Sequence, residues 1–411
     1  MKKNIYPFAA LVVLVATILA CALPFGGNGQ ETSPNEVETI VAATFQALTP
    51  VASVSETPAP APAGLLPHPL YFLNNDSIGI AQVFRLETDG STVTQLTVES
   101  SAVGSYDVSL ADGSIVYVAN NQLLLINGDG TGRRLLVDGG SVDLNNQFAT
   151  SINSPIFSPN GQTIAYWHKG MNLYAVSTGA TNLVLENQVT DPISGALVPG
   201  ELYFPQKYSP DGSKILITVA IPNSDGISAG IYSPAADALV RLTGGDGARL
   251  CCGGQPWSSD GSALFDANAS LGFLGTGLWR VDAVSGNVTT LLPTEAGGGN
   301  YNLADEPYLA PDGQLYFFFA IQPAPDGFID NAPLQIVRAA PDGVTGRIVL
   351  RPETFESLNE ALWAPDASFV IVAKALSDSV YAGGALELYY TDSTRSMIPL
   401  VPFAQQLKWG P

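Results

Sequence analysis

The chain has 411 residues, of which 46% are apolar and only 13% charged, with 41 Gly and 30 Pro. This composition is typical of many short buried strands joined by turns, and β-propellers of such length form single domains. The 37 Asp and Glu outnumber the 17 Lys and Arg, so the surface repels phosphate backbones and no nucleic-acid partner is expected. Three Cys and two His are too few for a Cys- or His-rich metal site.

The N-terminus has the form of a secretory signal. Two lysines precede an apolar run over residues 5–20, which is shorter than the roughly 20 residues that span a membrane. Its end, Ile18-Leu19-Ala20-Cys21, resembles a bacterial lipobox, in which lipid is attached to the cysteine. We therefore predict a lipoprotein signal peptide over residues 1–20 and membrane anchoring through lipidated Cys21, in the cell envelope on the extracytoplasmic side of a bacterial membrane. The alternative is an ordinary signal peptide with an incidental cysteine.

Residues 21–67 form the predicted anchor and tether. Ser33, Pro34 and Glu36 are start signals for a short amphipathic helix, whose apolar face would lie on the membrane or pair with a partner helix. The alternative is a marginal helix that frays on its own. The Pro-rich stretch that follows is typical of a semi-rigid extended linker, and it would hold the rest of the protein away from the bilayer.

From residue 68 onward the sequence repeats with a period of about 50 residues. Each repeat contains a tight turn in which Pro presets φ, Asp or Asn bonds its own backbone, and Gly takes the left-handed conformation. The turns read Ser109-Leu-Ala-Asp-Gly113, Phe157-Ser-Pro-Asn-Gly161, Tyr208-Ser-Pro-Asp-Gly212, Trp257-Ser-Ser-Asp-Gly261, Leu309-Ala-Pro-Asp-Gly313 and Trp363-Ala-Pro-Asp-Ala367.

Apolar stretches around these turns predict four strands per repeat, which is the pattern of a propeller blade. The first repeat lacks its first strand, and the last residues of the chain, "QLKWGP", have the sequence of that strand. We therefore predict an all-β, seven-bladed β-propeller over residues 68–411, closed by the C-terminal strand joining blade one. Such closure removes the open edge of the ring, which would otherwise be free to pair with other chains.

The repeats resemble those of TolB-like β-propellers, whose WD-like (WD40-like) repeats carry a W/F-S-P-D-G turn. The resemblance covers residues 68–411 and implies the propeller fold; it implies little about function, because the same repeats occur in periplasmic scaffolds and in the propeller half of prolyl oligopeptidase-type enzymes. Residues 22–67 are too short and too Pro-rich to form the α/β domain that precedes the propeller in TolB.

No coherent set of catalytic residues is found in the sequence. The stretch "GISAG" (226–230) matches a nucleophile elbow, but it leads into a predicted third strand and no His follows it in the chain. The turn aspartates Asp112, Asp211, Asp260, Asp312 and Asp366 are explained by the turn itself. Trp257, Trp363 and Trp409 recur at one repeat position, so packing between blades explains them better than ligand stacking does.

The connections between second and third strands, and between one blade and the next, are long and share one face of the predicted ring. We call this the long-loop face; binding sites of propellers usually lie on such loops. Several acidic residues of these connections form a candidate ligand rim, which either holds Ca²⁺ or is a solvated acidic surface. These residues are Asp225, Asp305, Glu306, Asp326, Asp330 and Asp378.

Cys251 and Cys252 are adjacent in one long connection. If Cys21 carries lipid, these two thiols have only each other as partners, and thiols outside the cytoplasm tend to oxidise. Adjacent Cα atoms on a trans peptide are about 3.8 Å apart, which strains a disulfide. A vicinal disulfide, two reduced thiols and an intermolecular bridge all remain open.

From these features we predict a binding or scaffold module that presents its long-loop face to a protein or glycan outside the cytoplasmic membrane, without a cofactor. The alternative is an enzyme acting on glycans in the channel, as a lyase or hydrolase that uses Ca²⁺. Convergent carboxylates at the channel mouth would favour the enzyme, whereas an apolar patch would favour recognition.

Overall fold

The computed structural model describes residues 64–411, except residues 145–146, 191–192, 194, 196, 222–226, 245–255, 268–275, 324–331 and 376–381. Gly64–Pro411 forms one compact unit. The predicted signal peptide, lipidation site, short helix and most of the linker lie outside the described residues. Within the described part of the chain, no helix has the length and apolarity that crossing a bilayer requires.

Seven sheets follow one another along the described part of the chain and form the blades of an all-β propeller, as predicted; their strands are antiparallel apart from one parallel pair in blade five. The second strands of blades two, three and seven are apolar and buried on both faces, because each blade packs between two neighbours. In the first three blades the strands run in chain order. They are β1 (Leu70–Asn75), β2 (Ala81–Leu86), β3 (Val93–Gln95), β4 (Val103–Val108), β5 (Ile115–Ala119), β6 (Gln122–Ile126), β7 (Arg134–Asp138), β8 (Asn153–Phe157), β9 (Thr163–Trp167), β10 (Gly170–Ala175) and β11 (Thr181–Glu186).

Two additional elements lie in the connections around blade three. The short helix α1 (Gln147–Thr150) precedes β8, and a separate hairpin of β12 (Gln188–Thr190) and β13 (Leu197–Pro199) follows β11. Blade four then comprises β14 (Leu202–Tyr208), β15 (Ile215–Ala220), β16 (Ile227–Ser233) and β17 (Ala238–Arg241). Ser228 of the "GISAG" stretch lies in β16, the third strand, as predicted.

The remaining blades depart from the simple four-strand pattern. Blade five contains β19 (Ala263–Asp266), β20 (Leu278–Asp282) and β21 (Asn287–Leu292), and β18 (Thr243–Gly244) pairs with β21 at the outer edge of the sheet. At the position of the first strand, Trp257 forms an isolated bridge with Leu264. Blade six has five strands, β22 (Glu295–Gly297), β23 (Asn300–Leu309), β24 (Leu315–Pro323), β25 (Gln335–Ala339) and β26 (Ile348–Val349). Blade seven comprises β27 (Leu358–Trp363), β28 (Phe369–Lys374), β29 (Ala385–Tyr390) and β30 (Ile398–Pro399).

The last strand of the chain, β31 (Gln405–Trp409), lies in the sheet of blade one. It pairs antiparallel with β1, with Leu70 opposite Trp409 and Tyr71 opposite Lys408. Leu407 packs in one apolar cluster with Leu70 and Phe72 of blade one and with side chains of blade seven. The inner edge of blade one is therefore covered by residues that are more than three hundred positions away in the chain.

The turn between first and second strands is held by its acidic side chain in each repeat that carries one. Asp211 accepts hydrogen bonds from Ser209 Oγ at 2.6 Å, from Ser213 Oγ at 2.7 Å and from Ser213 N at 3.0 Å. These bonds, the two hydroxyl bonds first, lower the pKa of Asp211 to about 2. Asp260 makes the equivalent bonds with Ser262 and Ser258. The repeated aspartates thus act as turn formers, as predicted from the sequence.

Tryptophan side chains at one repeat position join neighbouring blades. Trp409 Nε1 donates to Trp363 O at 2.8 Å, Trp363 Nε1 donates to Glu306 O at 2.9 Å, and Trp257 Nε1 approaches Lys207 O at 3.4 Å. Each indole therefore bonds the innermost strand of the preceding blade. This confirms the prediction that these residues serve packing between blades.

Candidate functional site: a charged central channel

The innermost strands surround a central channel and share an irregularity. A register shift interrupts the pairing of β4, β8, β14, β23, β27 and β31 with their second strands. Ser154, Glu306 and Gln406 adopt positive φ of 51°, 47° and 55° at these bulges. Because a bulge breaks the alternation of side chains along a strand, it redirects polar residues that would otherwise point into the packed faces.

Five charged residues lie on these bulged strands. Asp107, Lys207 and Lys408 occupy one repeat position, directly before the last residue of the first strand, and Glu306 and Glu360 lie on two further inner strands. The charges of Lys408, Asp107 and Glu306 all act on Lys207. These groups come from the innermost strands of blades one, two and six, and Lys207 comes from that of blade four.

An ion pair across blades one and two forms one side of the cluster. Lys408 Nζ lies 2.9 Å from Asp107 Oδ1, and the other oxygen of Asp107 accepts from Phe157 N of blade three at 2.7 Å. The Lys408 ammonium also lies 5.6 Å from the centre of the Tyr106 ring. Both charges are partly buried, and each is held by more than one partner.

Glu360 of blade seven binds the backbone of the last strand. Its carboxylate accepts hydrogen bonds from Gln406 N at 2.8 Å and from Leu407 N. Desolvation in the channel wall raises the pKa of Glu360, while these two amide bonds act in the opposite direction. The Tyr106 hydroxyl donates to Gln406 O at 2.6 Å from the other side, so the bulge of β31 is bonded by both neighbouring blades.

Lys207 lies at an exposed position of the innermost strand of blade four, where charges from other blades act on it. Its side chain is reached by water, yet protein from several blades surrounds it. Desolvation, together with the positive charge of Lys408, lowers its pKa to about 8, against the opposing influence of Asp107 and Glu306.

Of the predicted rim residues, Asp305 and Glu306 fall in the described part of the chain. The prediction that they lie in a long loop is wrong, because β23 extends through both of them, and a run of apolar partners in β24 pairs with that stretch. Asp305 is buried and accepts from Glu306 N at 2.9 Å. Asp225, Asp326, Asp330, Asp378, Cys251 and Cys252 lie outside the described residues.

The long-loop face carries exposed aliphatic side chains. Of the sixteen exposed large apolar residues in the described chain, seven lie in the connections of this face or at the strand end that leads into one. Four lie in connections on the opposite face, and none of the sixteen is aromatic. The seven are Ile78, Val98, Val142, Leu144, Ile193, Ile221 and Ile321.

Carboxylates do not converge on a metal site within the described residues. No group of three or more His, Cys, Asp and Glu side chains there is arranged to hold an ion. In the channel, Asp107 is paired with Lys408 and Glu360 with backbone amides. The described channel is thus a site of mixed charge rather than a cluster of acidic ligands.

Solved structures share this architecture at low sequence identity. An oligogalacturonate lyase in complex with manganese is similar over 81% of this chain and 84% of its own, at 10% identity and a TM-score of 0.50. A puromycin-hydrolysing peptidase from Mycobacterium tuberculosis is similar over 84% of this chain, at 15% identity and a TM-score of 0.50, and the match spans only 55% of that protein. The fold is a seven-bladed β-propeller.

The propeller is also similar to TolB from Acinetobacter baumannii, at 16% identity and a TM-score of 0.41 over 83% of this chain and 82% of that one. No family model matches the sequence, and no curated protein matches it significantly. At these identities the comparisons establish the fold of the propeller, and its activity has to be argued from its own residues.

The sequence analysis did not identify the channel cluster, although one signal for it was present. Asp107, Lys207 and Lys408 each stand two residues before the Ser or Gly that opens the repeated turn, where the other blades have apolar residues or tyrosine. Comparing the repeats at that position would have singled out three charged residues. Glu306 and Glu360 do not occupy this repeat position, so the same comparison would not have identified them.

Proposed function

We propose that the propeller is a non-catalytic binding module that recognises a partner protein through its long-loop face. The observation that supports this is the set of seven exposed aliphatic residues defined above. Ile78, Leu144 and Ile193 are 78%, 80% and 96% exposed, and burying such side chains against a partner would each contribute about 1.5–3 kcal/mol. Glycan recognition, the other form of this proposal, usually relies on aromatic rings, and none of the exposed large apolar residues in the described part of the chain is aromatic.

The proposal includes the location of the module. A signal peptide over residues 1–20, lipid on Cys21 and the Pro-rich linker would place the propeller in the cell envelope, outside the cytoplasmic membrane of a bacterium. A partner would then be another envelope protein or an envelope glycan. The tether would let the long-loop face reach a partner at some distance from the bilayer.

Replacing Ile78, Leu144 and Ile193 together by Ser should abolish partner capture. Cross-linking in the envelope of the producing bacterium, followed by quantitative mass spectrometry, is expected to recover the partner with the unmodified protein and to lose it at least about tenfold in the triple variant. The matched control replaces Leu110, Val284 and Val344, which are exposed on the opposite face, and should retain capture.

Equal capture by the two triple variants would show that the long-loop face is not the binding surface. If recovery depends instead on a polysaccharide and is abolished by glycan digestion, the partner is a glycan. Both variants change exposed positions only, so their melting temperatures should stay close to that of the unmodified protein.

A second candidate is an enzyme that acts on glycans in the channel, as a lyase or hydrolase. Solvent-accessible Lys207, with its lowered pKa, and the carboxylates around it favour this candidate, because such groups can transfer protons. The form that uses Ca²⁺ predicts that calcium raises the melting temperature and that Asp305→Asn removes the rise. The absence of any shift with divalent cations would count against a metal-dependent enzyme.

A further inference from the structure

We propose that a pocket between blades five and six binds a small zwitterion, an α-amino acid with an apolar side chain. The pocket has a volume of about 310 Å³, at the lower end of the usual range of about 300–1,000 Å³ for ligand pockets, so it suits a small molecule. It lies beside the turns between first and second strands, on the face opposite the long-loop face. The proposal is therefore independent of the proposed binding function.

The pocket lies where the regular stacking of the turns is interrupted. A Cβ atom added at Gly212 would lie 3.3 Å from Pro159 of the preceding turn, and one added at Gly261 would lie 3.6 Å from Pro210. One added at Gly313, in the turn of blade six, would have no heavy atom of the described residues within 4 Å, apart from its neighbours in the chain. The turns of blades five and six are thus separated, and residues of both line the gap.

The turn of blade six is also tighter than the turn of blade five. Ala310 N donates to Gln314 O at 3.0 Å, four residues further on, whereas Ser258 N donates to Ala263 O at 2.9 Å, five residues further on. The turn that borders the gap on the side of blade six is therefore one residue shorter than its counterpart.

Arg280 supplies the positive charge of the pocket. It lies opposite Phe265 in the pairing of β19 with β20, and Phe265 packs in the apolar cluster between blades five and six, so Arg280 faces blade six. In blades four and seven, the residue opposite the position five after the turn aspartate is Ile231 or Leu388, and both are buried. Blade five therefore has a guanidinium where these blades have an apolar contact, and this guanidinium lines the pocket.

The donors of Arg280 are open to a ligand. Within the described part of the chain, Arg280 forms no hydrogen bond and no ion pair, although its charge also acts on Asp282 two residues further on. The planar fork of a guanidinium matches a carboxylate, which it holds through two parallel hydrogen bonds. The carboxylate of an amino acid would bind here.

Asp260 supplies a negative charge to the same pocket. Its Oδ1 atom accepts from Ser258 Oγ at 2.7 Å, from Ser262 N at 3.0 Å and from Ser262 Oγ at 2.8 Å, whereas its Oδ2 atom has no hydrogen bond to any described residue. Asp260 would repel a simple anion, and Arg280 would repel a simple cation. A zwitterion places an opposite charge at each of them.

The rest of the pocket wall is largely apolar, which favours an amino acid with an apolar side chain over a polar one. Half of the lining residues carry apolar side chains. These are Ala263, Phe265, Leu309, Ala310, Pro311 and Pro341.

Isothermal titration calorimetry of the full chain with L-leucine tests the proposal. We expect a dissociation constant of about 1 mM or below, which is reasonable for a ligand of about nine non-hydrogen atoms. Two analogues, 4-methylpentanoate without the ammonium group and 3-methylbutylamine without the carboxylate, should each bind at least about tenfold more weakly. Each of them leaves one charge of the pocket unpaired.

Arg280→Leu should abolish leucine binding without loss of stability. The substitution restores the kind of apolar contact between blades that Leu388 makes in blade seven, so the melting temperature should stay the same or rise. Arg134→Leu changes an exposed arginine of blade two and is the matched control. It should bind leucine as the unmodified protein does.

Asp260→Asn should weaken leucine binding at least about tenfold and leave the binding of 4-methylpentanoate unchanged or stronger, because it removes only the charge that faces the ammonium group. Asparagine retains an acceptor oxygen for the turn. The matched control, Asp211→Asn, makes the same change in the turn of blade four and should alter neither affinity.

Three results would overturn the proposal. They are no leucine binding at concentrations about ten times the expected dissociation constant, full binding by Arg280→Leu, and equal affinities for leucine and 4-methylpentanoate. The last result would mean that Asp260 does not recognise an ammonium group.

Discussion

Deleting residues 405–411 should destabilise the propeller by about 5 kcal/mol or more, a large part of the 5–15 kcal/mol that stabilises a typical domain. The deletion removes β31, so β1 loses its inner partner strand and the apolar cluster loses Leu407 and Trp409. It also removes the amides of Gln406 and Leu407 that bind Glu360, which would leave a desolvated carboxylate without these donors. Urea unfolding measured by tryptophan fluorescence would give the loss.

The matched control ends the chain after Trp409. It keeps β31 intact and removes only Gly410 and Pro411, with the single backbone bond from Gly410 N to Pro69 O. We expect this control to lose about 1 kcal/mol. If the longer deletion melts at the same temperature as the unmodified chain, the C-terminal strand does not hold the ring closed.

Trp363→Ala is expected to cost about 3–5 kcal/mol, the usual range for removing a large buried aromatic side chain. Trp363 is 1% exposed and its ring contacts Tyr308, Tyr316 and Phe318 of blade six. Its indole also donates to Glu306 O at 2.9 Å. Alanine would therefore leave a cavity between blades six and seven and an unsatisfied carbonyl on the channel strand.

Trp363→Phe separates the two contributions. Phenylalanine retains most of the ring contacts but cannot donate the hydrogen bond, so the expected loss is about 1–2 kcal/mol. Both variants are compared by chemical denaturation under identical conditions. Equal losses for Ala and Phe would mean that the hydrogen bond, and not ring packing, joins these blades.

Much of the fold could be predicted because the same pattern of turns and strands recurs along the chain. The turns around Asp211 and Asp260 form through bonds between residues that are close in the chain. The apolar run after Asp260 is buried on both faces, and the run after Asp211 alternates between buried and half-buried residues. The position of β31 also followed from local information, since one repeat lacked a first strand and the chain ended with one. Extra elements such as β12, β13, β18 and β22 have no repeat signal, and they were not predicted.

The candidate site was harder to predict because it depends on bulges. Asp305 and Glu306 were placed in a loop on the strength of a Gly-rich and polar segment, but pairing with the apolar β24 extends the strand through them. A one-residue shift reverses the face on which later side chains lie, so a period of two cannot be followed through a bulge. Lys207, two residues after the buried Pro205, is such a case.

Local chemistry in the sequence was therefore sufficient for the strands and turns of the blades, since each depends on residues close together in the chain. The strand that completes the ring pairs with residues more than three hundred positions away, and the repeat count predicted it because one repeat lacked its first strand. The charged channel depends on contacts between blades one, two, four, six and seven, whose inner strands meet only when the ring is closed. The pKa of Lys207 is lowered by desolvation and by a charge two hundred residues away. Such effects arise from distances in space, which is why the folded propeller was needed to reveal them.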